Sequence, residues 1–338
     1  MRVLIYGGGF KPPHLGHEEA LRAAAEALHP DKILVIPANI PPHKAVAEGS
    51  PSAEERLELT RLAFSDFPEA EVTDLELLRD GPSYTVDTLR QIHGELPEAE
   101  LCFLVGTDML LYMEHWFAFE EIFSLCTLTA LPREEGEIGT LEAFADHLRH
   151  TYDARVVVIR KPPLPVSSTQ LRQLLPDRKG GAYLSPEVYE RIIRLRLYGA
   201  RPELDWLRRQ VDQWMKPSRI PHIRGVEETS VCLAKRWGAD EGDAAEAGIL
   251  HDITKRMKKE EQLRLCEKYG IILDIFEQSE PKILHARTGA CFARELFGVT
   301  DAVFNAIEWH TTGRPGMSDL ERIVYLADIC EPGRVFPG

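Results

Sequence analysis

The sequence predicts an α/β domain with a parallel β-sheet, followed by an all-α domain. Over the first 200 residues, short β-branched runs alternate with longer amphipathic stretches, which is typical of a parallel sheet covered by helices on both faces. From about residue 185 onwards the strand patterns stop and only helical patterns follow. The chain has 338 residues, more than a single core usually accommodates. We therefore expect two domains, at residues 1–200 and 201–338.

The expected strands are short apolar runs bounded by turn residues. They lie at residues 3–6, 33–36, 71–73, 101–105, 127–131 and 155–159. Amphipathic stretches of helical periodicity lie between them, at residues 15–28, 53–64, 84–93 and 141–149. Ligands of such sheets bind at the carboxyl ends of the strands, so the loops after the strands are the expected location of a site.

The all-α part is predicted from amphipathic stretches that follow one another without an intervening strand pattern. They lie at residues 187–198, 203–214, 226–237, 243–255, 284–297, 303–310 and 319–330. The sequence Gly-Ala-Arg-Pro at residues 199–202 is expected to separate the two domains, because Gly and Pro end helices.

The charge balance is acidic, since 40 Lys and Arg residues against 54 Asp and Glu residues give a net charge of −14. A general nucleic-acid-binding protein needs a basic face, so we expect no nucleic-acid polymer as a partner. The six cysteines form no C-x-x-C pair, and no apolar run approaches the roughly 18 residues that a membrane span requires. We expect a cytoplasmic protein with reduced thiols and no membrane partner.

A glycine-rich turn followed by two histidines is the first candidate site. Three glycines follow the first expected strand and allow a phosphate to approach the backbone closely, and the next helix offers unpaired N–H groups. His14 and His17 lie three residues apart at the start of that helix, so both rings can face one phosphate as hydrogen-bond donors. The alternative is a plain turn with two solvated histidines. The candidates for substrate contact in the turn are Gly7, Gly8, Gly9 and Phe10.

Five motifs, in order, resemble those of the bacterial nicotinate-nucleotide adenylyltransferases of the H-x-G-H nucleotidyltransferase superfamily. They are G-G-x-F-x-P-x-H-x-G-H at residues 7–17, P-x-x-x-P-P-H-K at 37–44, S-Y-T-x-D-T-L at 83–89, G-x-D at 106–108 and S-S-T-x-x-R at 167–172. Two positions depart from the family pattern: Lys11 stands where the family more often has Asp or Asn, and Gly9 where it usually has Thr or Ser. The P-P-H-K and S-Y-T segments disfavour the related enzymes that adenylylate phosphopantetheine.

This resemblance implies a Rossmann-like fold and a Mg²⁺-dependent reaction. The family transfers the adenylyl group of ATP to nicotinate mononucleotide, which gives nicotinate adenine dinucleotide and releases pyrophosphate. Attack by a phosphate oxygen on the α-phosphorus needs positioning and charge neutralisation but no covalent intermediate. The resemblance makes His14, His17 and Arg172 the catalytic residues, and it places the Ser168 hydroxyl with them on the phosphates of ATP.

The same resemblance implies which residues bind the mononucleotide. Lys44 would hold its phosphate as a point charge, and Asp108 would face a ribose or the metal. Tyr84, Thr85 and Trp116 would frame the pyridine ring, with Thr85 near its carboxylate. For the aromatic side chains the alternative is packing in the core.

A second group of candidates lies in the helical part, in the order H, HD, H, H, D. A scattered histidine is more often structural than a ligand, but a consecutive His-Asp pair within an apolar helix is costly to bury without a partner such as a metal. Imidazoles and carboxylates on five helices suit a two-metal site in a bundle, with Asp252 able to bridge the ions. The candidate metal ligands are His222, His251, Asp252, His285, His310 and Asp328.

This pattern resembles the HD-domain phosphohydrolases and, among them, the bacterial HD-type diadenosine tetraphosphate hydrolases. The matching segments are I-P-H-I-R-G-V at 220–226, L-H-D-I-T-K at 250–255, H-T-T-G-R-P-G-M-S at 310–318 and Y-L-A-D-I-C-E-P-G-R at 325–334. The resemblance implies symmetric hydrolysis of diadenosine tetraphosphate to two ADP at two divalent metal ions, which are iron in that family. It makes Asp252 and Lys255 catalytic, and Arg314 and Arg334 would neutralise the polyphosphate. For Lys255 the alternative is a solvated helix end.

Together the two resemblances predict a bifunctional enzyme. The alternative is an adenylyltransferase whose HD domain binds nucleotide or dimerises without turnover. The sequence stops soon after the last candidate ligand, where the resembled hydrolases continue with further helices. We therefore expect either a truncated HD domain or a second subunit over that face, as in a homodimer. The ligand types leave the native metal open among iron, manganese, zinc and cobalt.

Overall fold

A computed structural model describes residues 1–39, 51–79, 81–161 and 164–334, which separate into two compact units. The first unit contains residues 1–176 and 180–191, and the second contains residues 177–179 and the chain from residue 192 onwards. The chain passes from one unit to the other within a helix at Pro186–Arg194. Among the described residues, no helix is both long and apolar enough to span a membrane.

The first unit contains a parallel β-sheet, as the sequence predicts. Its strands are β1 Arg2–Gly8, β2 Lys32–Pro37, β3 Ala70–Val72, β4 Glu100–Gly106, β5 Cys126–Leu131 and β6 Val156–Val158. Within the described part of the chain their order is β3-β2-β1-β4-β5-β6, and each neighbouring pair is parallel. Every expected strand is present; β1, β2, β4 and β5 are largely buried apolar runs, whereas the three-residue β3 is only half-buried.

Helices lie between these strands and after the last of them. They are α1 Leu15–Leu28, α2 Ala53–Ala63, α3 Thr85–Glu95, α4 Thr107–Leu111, α5 Phe119–Leu125, α6 Ile138–Tyr152, α7 Ser168–Leu174 and α8 Pro186–Arg194. The helix predicted at residues 15–28 has the expected bounds. The short helices α4, α5 and α7 have five to seven residues each, too few for an amphipathic period to reveal them in the sequence.

The strand order reverses between β1 and β4, and this is where an open parallel sheet forms a crevice for ligands. The register places Gly8 of β1 level with Pro37 of β2, and Gly106 of β4 level with Leu131 of β5. The core of this unit packs Val3, Ile5, Phe103, Val105 and other buried side chains of the central strands against the helices. The carboxyl ends of these strands therefore share one edge, and the loops that follow them share it too.

The second unit is helical in the residues described, as predicted. Its helices are α9 Leu204–Trp214, α10 Ile220–Trp237, α11 Glu241–Leu250, α12 Lys259–Lys268, α13 Ile275–Ser279, α14 Leu284–Phe297, α15 Asp301–Glu308 and α16 Asp319–Cys330. The predictions for 284–297 and 319–330 have the observed bounds. The helix predicted at 243–255 is wrong at its end, since α11 ends at Leu250 and the chain continues as turns.

Two distant side chains bind main-chain carbonyls in the turns that follow α11. The carbonyl of Ile253 accepts a hydrogen bond from Trp214 Nε1 at 2.9 Å, and the carbonyl of Thr254 accepts one from Gln262 Nε2 at 2.6 Å. Within the turns, Ile253 N–H donates to the carbonyl of Leu250 three residues earlier. The backbone groups are thus satisfied outside an α-helix, and the His-Asp pair follows the helix rather than lying within it.

Gly248 determines how closely α11 approaches α10. A Cβ at this position would lie 2.8 Å from the Cα of Glu227 on α10, which is closer than real Cβ atoms come. Gly289 on α14 differs, because the nearest atoms to its Cβ would be 3.4–3.6 Å away, an ordinary contact distance. Alanine substitutions at these two helical glycines can therefore be compared within one unit, since only the one at Gly248 meets a close backbone contact.

We expect Gly248→Ala to destabilise the second unit by roughly 1–3 kcal/mol, because the added methyl group forces α10 and α11 apart. Denaturant unfolding followed by tryptophan fluorescence measures this, since four of the five tryptophans lie beyond residue 200. Gly289→Ala is the control and should leave stability unchanged or raise it by up to about 1 kcal/mol through helix propensity. Equal stability of the two variants would contradict the close approach.

Candidate functional site

The loop after β1 leads directly into α1 and carries the first candidate residues. A Cβ on Gly8 would lie 2.9 Å from the ring of Phe10, so only glycine fits there, whereas nothing lies within 4 Å of a Cβ on Gly9. Phe10 is 2% exposed and adopts a φ of +43°, a conformation rare for a bulky residue. Its ring packs edge-on against His17 at 5.1 Å between centroids. Phe10 thus supports His17 from the core, and its contact with substrate stays a prediction.

His14 and His17 lie together, as their spacing predicts. His14 is the N-cap residue of α1, and the two ring centroids are 3.7 Å apart. The backbone N–H of His14 donates to His17 Nδ1 at 3.2 Å, so a neutral His17 ring carries its proton on Nε2. His14 is buried, and its Nδ1 has no hydrogen-bond partner among the described residues. The pair thus offers ring nitrogens to a ligand at the start of a helix.

The electrostatic surroundings keep both rings neutral. Burial, with a smaller contribution from the Arg133 cation, lowers the pKa of His14 from 6.5 to about 4. Burial, the neighbouring His14 and Arg133 also hold the pKa of His17 well below its usual value. At neutral pH the two histidines can therefore donate hydrogen bonds without carrying a net charge.

Two side chains of α7 bind the loop that precedes α1. Ser168 Oγ donates to the carbonyl of Pro12 at 2.8 Å, and Arg172 Nη1 donates to the carbonyl of Lys11 at 2.7 Å. The structure therefore brings Ser168 and Arg172 to the histidine loop, although about 150 residues separate them in the sequence. These hydrogen bonds hold the loop in place and position the Arg172 guanidinium next to it.

Asp108 and Arg133 lie at the carboxyl ends of β4 and β5. Asp108 Oδ1 and Arg133 Nε form an ion pair at 2.8 Å. A Cβ on Gly106 would lie 2.6 Å from Arg133 Nε, so the glycine leaves room for the arginine to cross β4. The Glu137 carboxylate accepts from Arg133 N–H at 2.7 Å and from Thr107 Oγ at 2.5 Å, which fixes the loop after β5.

Sequence reasoning missed Arg133. The available signal was a basic residue two positions after a predicted strand, at the sheet edge where ligands bind. Its charge reaches both histidines, because it contributes to the lowered pKa of each. Arg133 is therefore a cation of the candidate site in its own right.

The residues predicted to frame a pyridine ring lie around the start of α3 and after α4. Tyr84 is the N-cap residue of α3, Thr85 is its first residue, and both are half-buried. The Tyr84 ring lies 5.0 Å from that of Phe117, and the half-buried Trp116 ring lies 6.3 Å from that of Phe103. Trp116 therefore packs on the core and keeps part of its surface accessible. Lys44 lies outside the described residues.

The six predicted metal ligands meet in the second unit. His222 is on the first turn of α10, His285 is on the first turn of α14, and Asp328 is on α16. His251 and Asp252 directly follow α11, and His310 follows α15. Three helices therefore carry one predicted ligand each, and the other three ligands lie in turns that follow helices, so the expectation of ligands on five helices is wrong for His251, Asp252 and His310.

The two oxygens of Asp252 face two different groups of imidazoles. Oδ2 lies 3.4 Å from His251 Nε2 and 3.8 Å from His222 Nε2, whereas Oδ1 lies 3.1 Å from His285 Nε2 and 3.8 Å from His310 Nε2. Asp328 completes the first group, with Oδ1 3.1 Å from His222 Nε2. Among the described residues, two groups have the spacing to hold a metal ion: His222, His251 and Asp328 form one, and His251, Asp252 and His310 form the other.

The donor set fits divalent metal ions. Asp252 is buried and Asp328 is largely so; the nearest nitrogens to their Oδ1 atoms are His285 Nε2 for Asp252, and His222 Nε2 and Arg334 Nη1 for Asp328, each at 3.1 Å. Burial alone would raise the pKa of Asp252, but the adjacent His251 and the other histidines hold it well below its usual range. Burial opposes the charge of His251, yet the two carboxylates raise its pKa. Ionised carboxylates and imidazoles that converge in a buried position have the donor types of a metal-binding set.

Main-chain carbonyls orient three of the four imidazoles. The Nδ1 atoms of His251, His285 and His310 each lie 2.7 Å from the carbonyl oxygen of the residue three positions earlier. Donation from Nδ1–H to a carbonyl leaves Nε2 unprotonated, which is the form that binds a metal. The three Nε2 atoms point into the cluster.

Cations surround this cluster. Lys255 Nζ lies 3.0 Å from His285 Nε2 and 3.6 Å from Asp252 Oδ1, and burial lowers its pKa. Arg334 Nη1 lies 3.1 Å from Asp328 Oδ1. Arg219 Nε donates to Asp252 Oδ2 at 2.7 Å, a contact that sequence reasoning missed, because a lone arginine before a helix carries no pattern.

Arg314 lies differently from the other predicted cations. It binds the buried carboxylate of Glu321, and its guanidinium carbon lies 5.4 Å from the ring centroid of Trp309. Glu321 also closes the capping box at the start of α16. In this structure Arg314 thus holds the α15–α16 connection, and its part in polyphosphate binding stays a prediction.

We expect the imidazole of His14 to titrate near pH 4 in the folded protein, because protonation would place a charge in a buried position beside Arg133. An NMR pH titration of labelled histidines measures this, and the His14→Asn variant assigns the resonance. Since the folded pKa lies below 6.5, the related contribution to stability is complete above about pH 6.5 and is lost as the pH falls towards 4. A midpoint near 6.5 would contradict this environment.

Comparison with known proteins places each unit in a family. Residues 5–174 match the family model described as cytidylyltransferase-like, and residues 219–333 match that of the HD domain. The protein named "Probable nicotinate-nucleotide adenylyltransferase" of Carboxydothermus hydrogenoformans is 35% identical over 198 residues, 58% of this chain and 98% of that relative. The protein of the same name from Geobacter metallireducens is 36% identical over 213 residues, with 59% and 98% covered.

Two solved structures are also similar. The Plasmodium falciparum nicotinic acid mononucleotide adenylyltransferase complexed with NaAD is 20% identical and covers 59% of this chain and 98% of its own, with a TM-score of 0.51, which concerns the fold alone. A predicted HD superfamily hydrolase involved in NAD metabolism from Clostridium acetobutylicum is 36% identical and covers 41% of this chain and 74% of its own, with a TM-score of 0.39. The chain belongs to the cytidylyltransferase-like family, as a nicotinate-nucleotide adenylyltransferase-like domain followed by an HD domain.

Proposed function

We propose that residues 1–200 transfer the adenylyl group of ATP to nicotinate mononucleotide, forming nicotinate adenine dinucleotide and pyrophosphate. The observation that carries this proposal is the neutral His14–His17 pair at the start of α1, with the Arg133 and Arg172 cations at the same sheet edge. The relatives named as nicotinate-nucleotide adenylyltransferases support it, because they match this part of the chain over nearly their whole length.

The chain's own residues would act by positioning and by charge stabilisation. A phosphate oxygen of the mononucleotide attacks the α-phosphorus of ATP, and the bond from that phosphorus to pyrophosphate breaks. N–H donors of His14 and His17 would stabilise the negative charge that develops on the phosphate oxygens, without supplying a base. Arg172 and Arg133 would add positive charge, and Mg²⁺ bound with ATP would neutralise its phosphates, near Asp108.

The start of α3 would select nicotinate over nicotinamide. Tyr84 is the N-cap, but its side chain makes no capping hydrogen bond, so the helix N-terminus is open to a carboxylate near Thr85. The accessible part of Trp116 would contact the pyridine ring. We therefore propose nicotinate mononucleotide as the better substrate and the nicotinamide analogue as the poorer one.

We expect His17→Ala to lower adenylyl transfer by roughly two to four orders of magnitude, because one transition-state donor is lost. Chromatography of the products from ATP and nicotinate mononucleotide measures the rate, with nicotinamide mononucleotide assayed in parallel. His93→Ala, at an exposed histidine of α3, is the matched control and should keep the wild-type rate. Normal turnover by a folded His17→Ala protein would overturn the assigned role.

We propose, second, that residues 201–338 form a metal-dependent phosphohydrolase that cleaves diadenosine tetraphosphate symmetrically to two ADP. The observation that favours it is the Asp252 carboxylate, whose two oxygens face separate groups of imidazoles. Two divalent ions held there, which we propose to be iron, would supply Lewis-acid activation of water and of a phosphoryl oxygen. The HD-domain match supports this reading.

The surrounding cations would bind the polyphosphate. Lys255 and Arg334 lie within 4 Å of the Asp252 and Asp328 carboxylates and would turn towards phosphate oxygens as the carboxylates engage metal. Arg219 would do the same, since it is bound to Asp252 Oδ2. The alternative function is a nucleotide-binding or dimerising regulatory domain without turnover.

We expect Asp252→Asn to release metal and to lower cleavage of diadenosine tetraphosphate by roughly two or more orders of magnitude, because the bridging charge is lost. Adenylyl transfer should remain close to the wild-type rate. Elemental analysis of protein purified without chelator and chromatography of ADP measure the two effects. Asp212→Asn, at a half-exposed carboxylate bound to Arg224, is the matched control.

Measurements on the wild-type protein distinguish a hydrolytic HD domain from a regulatory one. Transition metal in the purified protein, together with ADP formed from diadenosine tetraphosphate, supports the hydrolase. If the protein contains no transition metal, and added iron or manganese restores no cleavage, the regulatory reading holds instead.

A further inference from the structure

His222 is the one imidazole of the described cluster whose Nδ1 meets a side-chain carboxylate. Its Nδ1 lies 3.1 Å from Glu331 Oε1, whereas main-chain carbonyls face Nδ1 of the other three histidines. Its Nε2 lies 3.3 Å from His251 Nε2 and 3.1 Å from Asp328 Oδ1. The orientation of His222 therefore depends on a residue that can be replaced without changing the backbone.

The Glu331 carboxylate is itself held in place. Glu331 is the C-cap residue of α16, is 4% exposed, and donates its N–H to the carbonyl of Ala327 at 3.0 Å. Its second carboxylate oxygen accepts the N–H of Gly333 at 2.6 Å. Backbone contacts thus fix both the position of the residue and the direction of its carboxylate.

Gly225 provides the space for this carboxylate. It lies on α10, three residues after His222, and a Cβ there would be 2.4 Å from Glu331 Oε2. Any side chain at this position would collide with the carboxylate that reaches His222. Helix α10 therefore carries both His222 and the glycine that leaves space for the Glu331 carboxylate beside it.

We propose that Glu331 is the positioning residue for His222 and sets the metal affinity of the ion position formed by His222, His251 and Asp328. This inference rests on the proposed metal site of the HD domain. Donation of Nδ1–H to the carboxylate keeps Nε2 unprotonated and directed into the cluster, and the negative charge makes the imidazole a stronger ligand. The position beside His285 and His310 has no such dependence, because main-chain carbonyls hold those rings.

Metal titration of the full-length protein tests the proposal. The stripped protein is titrated with Zn²⁺ in competition with a chromophoric chelator, which resolves two binding events. In Glu331→Ala one event should weaken by roughly 10–100-fold, while the other changes little. Glu331→Gln, which keeps a hydrogen-bond acceptor without charge, should lie between Glu331→Ala and the wild type.

Two further variants separate positioning from stability. Glu227→Gln is the matched control, because Glu227 is also 4% exposed, lies on α10 and binds Arg208 rather than a ligand. Its two metal affinities should equal those of the wild type. Gly225→Ala leaves Glu331 in the sequence but displaces its carboxylate, and should weaken the same event as Glu331→Ala does. This variant keeps the test valid if Glu331→Ala fails to fold.

Nitrogen NMR of labelled histidines in the metal-free protein reports the tautomer of His222, which a change in stability alone would not alter. His222 should carry its proton on Nδ1 in the wild type and should become a mixture of tautomers in Glu331→Ala. Unchanged affinities and an unchanged tautomer in Glu331→Ala, in a wild type that binds two ions, would overturn this inference alone. A wild type that binds no ion would overturn the metal site itself and the inference with it.

Discussion

A buried carboxylate organises the second unit. Asp252 is 1% exposed, and imidazoles from separate helices, together with Arg219, converge on its two oxygens. An unpaired charge in such a position would be strongly destabilising, so the elements that carry its partners must pack together for the unit to fold. The geometry of the candidate metal site and the packing of the bundle are therefore consequences of the same requirement.

In the first unit, main-chain carbonyls rather than a buried side chain bring the candidate site residues together. The sheet order brings the ends of β1 and β4 together, and hydrogen bonds from Ser168 and Arg172 to loop carbonyls bring in α7. The loop carbonyls that receive these bonds directly precede the histidine pair. Residues far apart in the sequence thus become one site because the main chain near the histidines offers acceptors, and only well-placed donors can satisfy them.

The sequence was sufficient to predict those elements and residues that a local pattern specifies. The central strands are apolar runs, the helix at residues 15–28 has a full amphipathic period, the histidine pair has a fixed spacing, and the HD candidates have a recognisable order. The sequence was insufficient where contacts between residues far apart in the chain determine the local structure. Trp214 and Gln262 bind carbonyls in the turns after α11, and Arg133 and Arg219 are single basic residues without a motif. Such contacts depend on tertiary packing, which one sequence does not display.

His14 and His251 lie in opposite electrostatic settings. Around His14 and His17, burial and the Arg133 cation lower the pKa, so the rings stay neutral and keep an N–H donor. Around His251, the Asp252 and Asp328 carboxylates counter burial and raise the pKa, so a cation is favoured where the ring nitrogens meet. A metal ion can take the place of that proton, because it supplies the positive charge that the carboxylates require. The carboxylates therefore favour a cation at His251, whereas at His310 in the same cluster burial prevails and lowers the pKa to about 4.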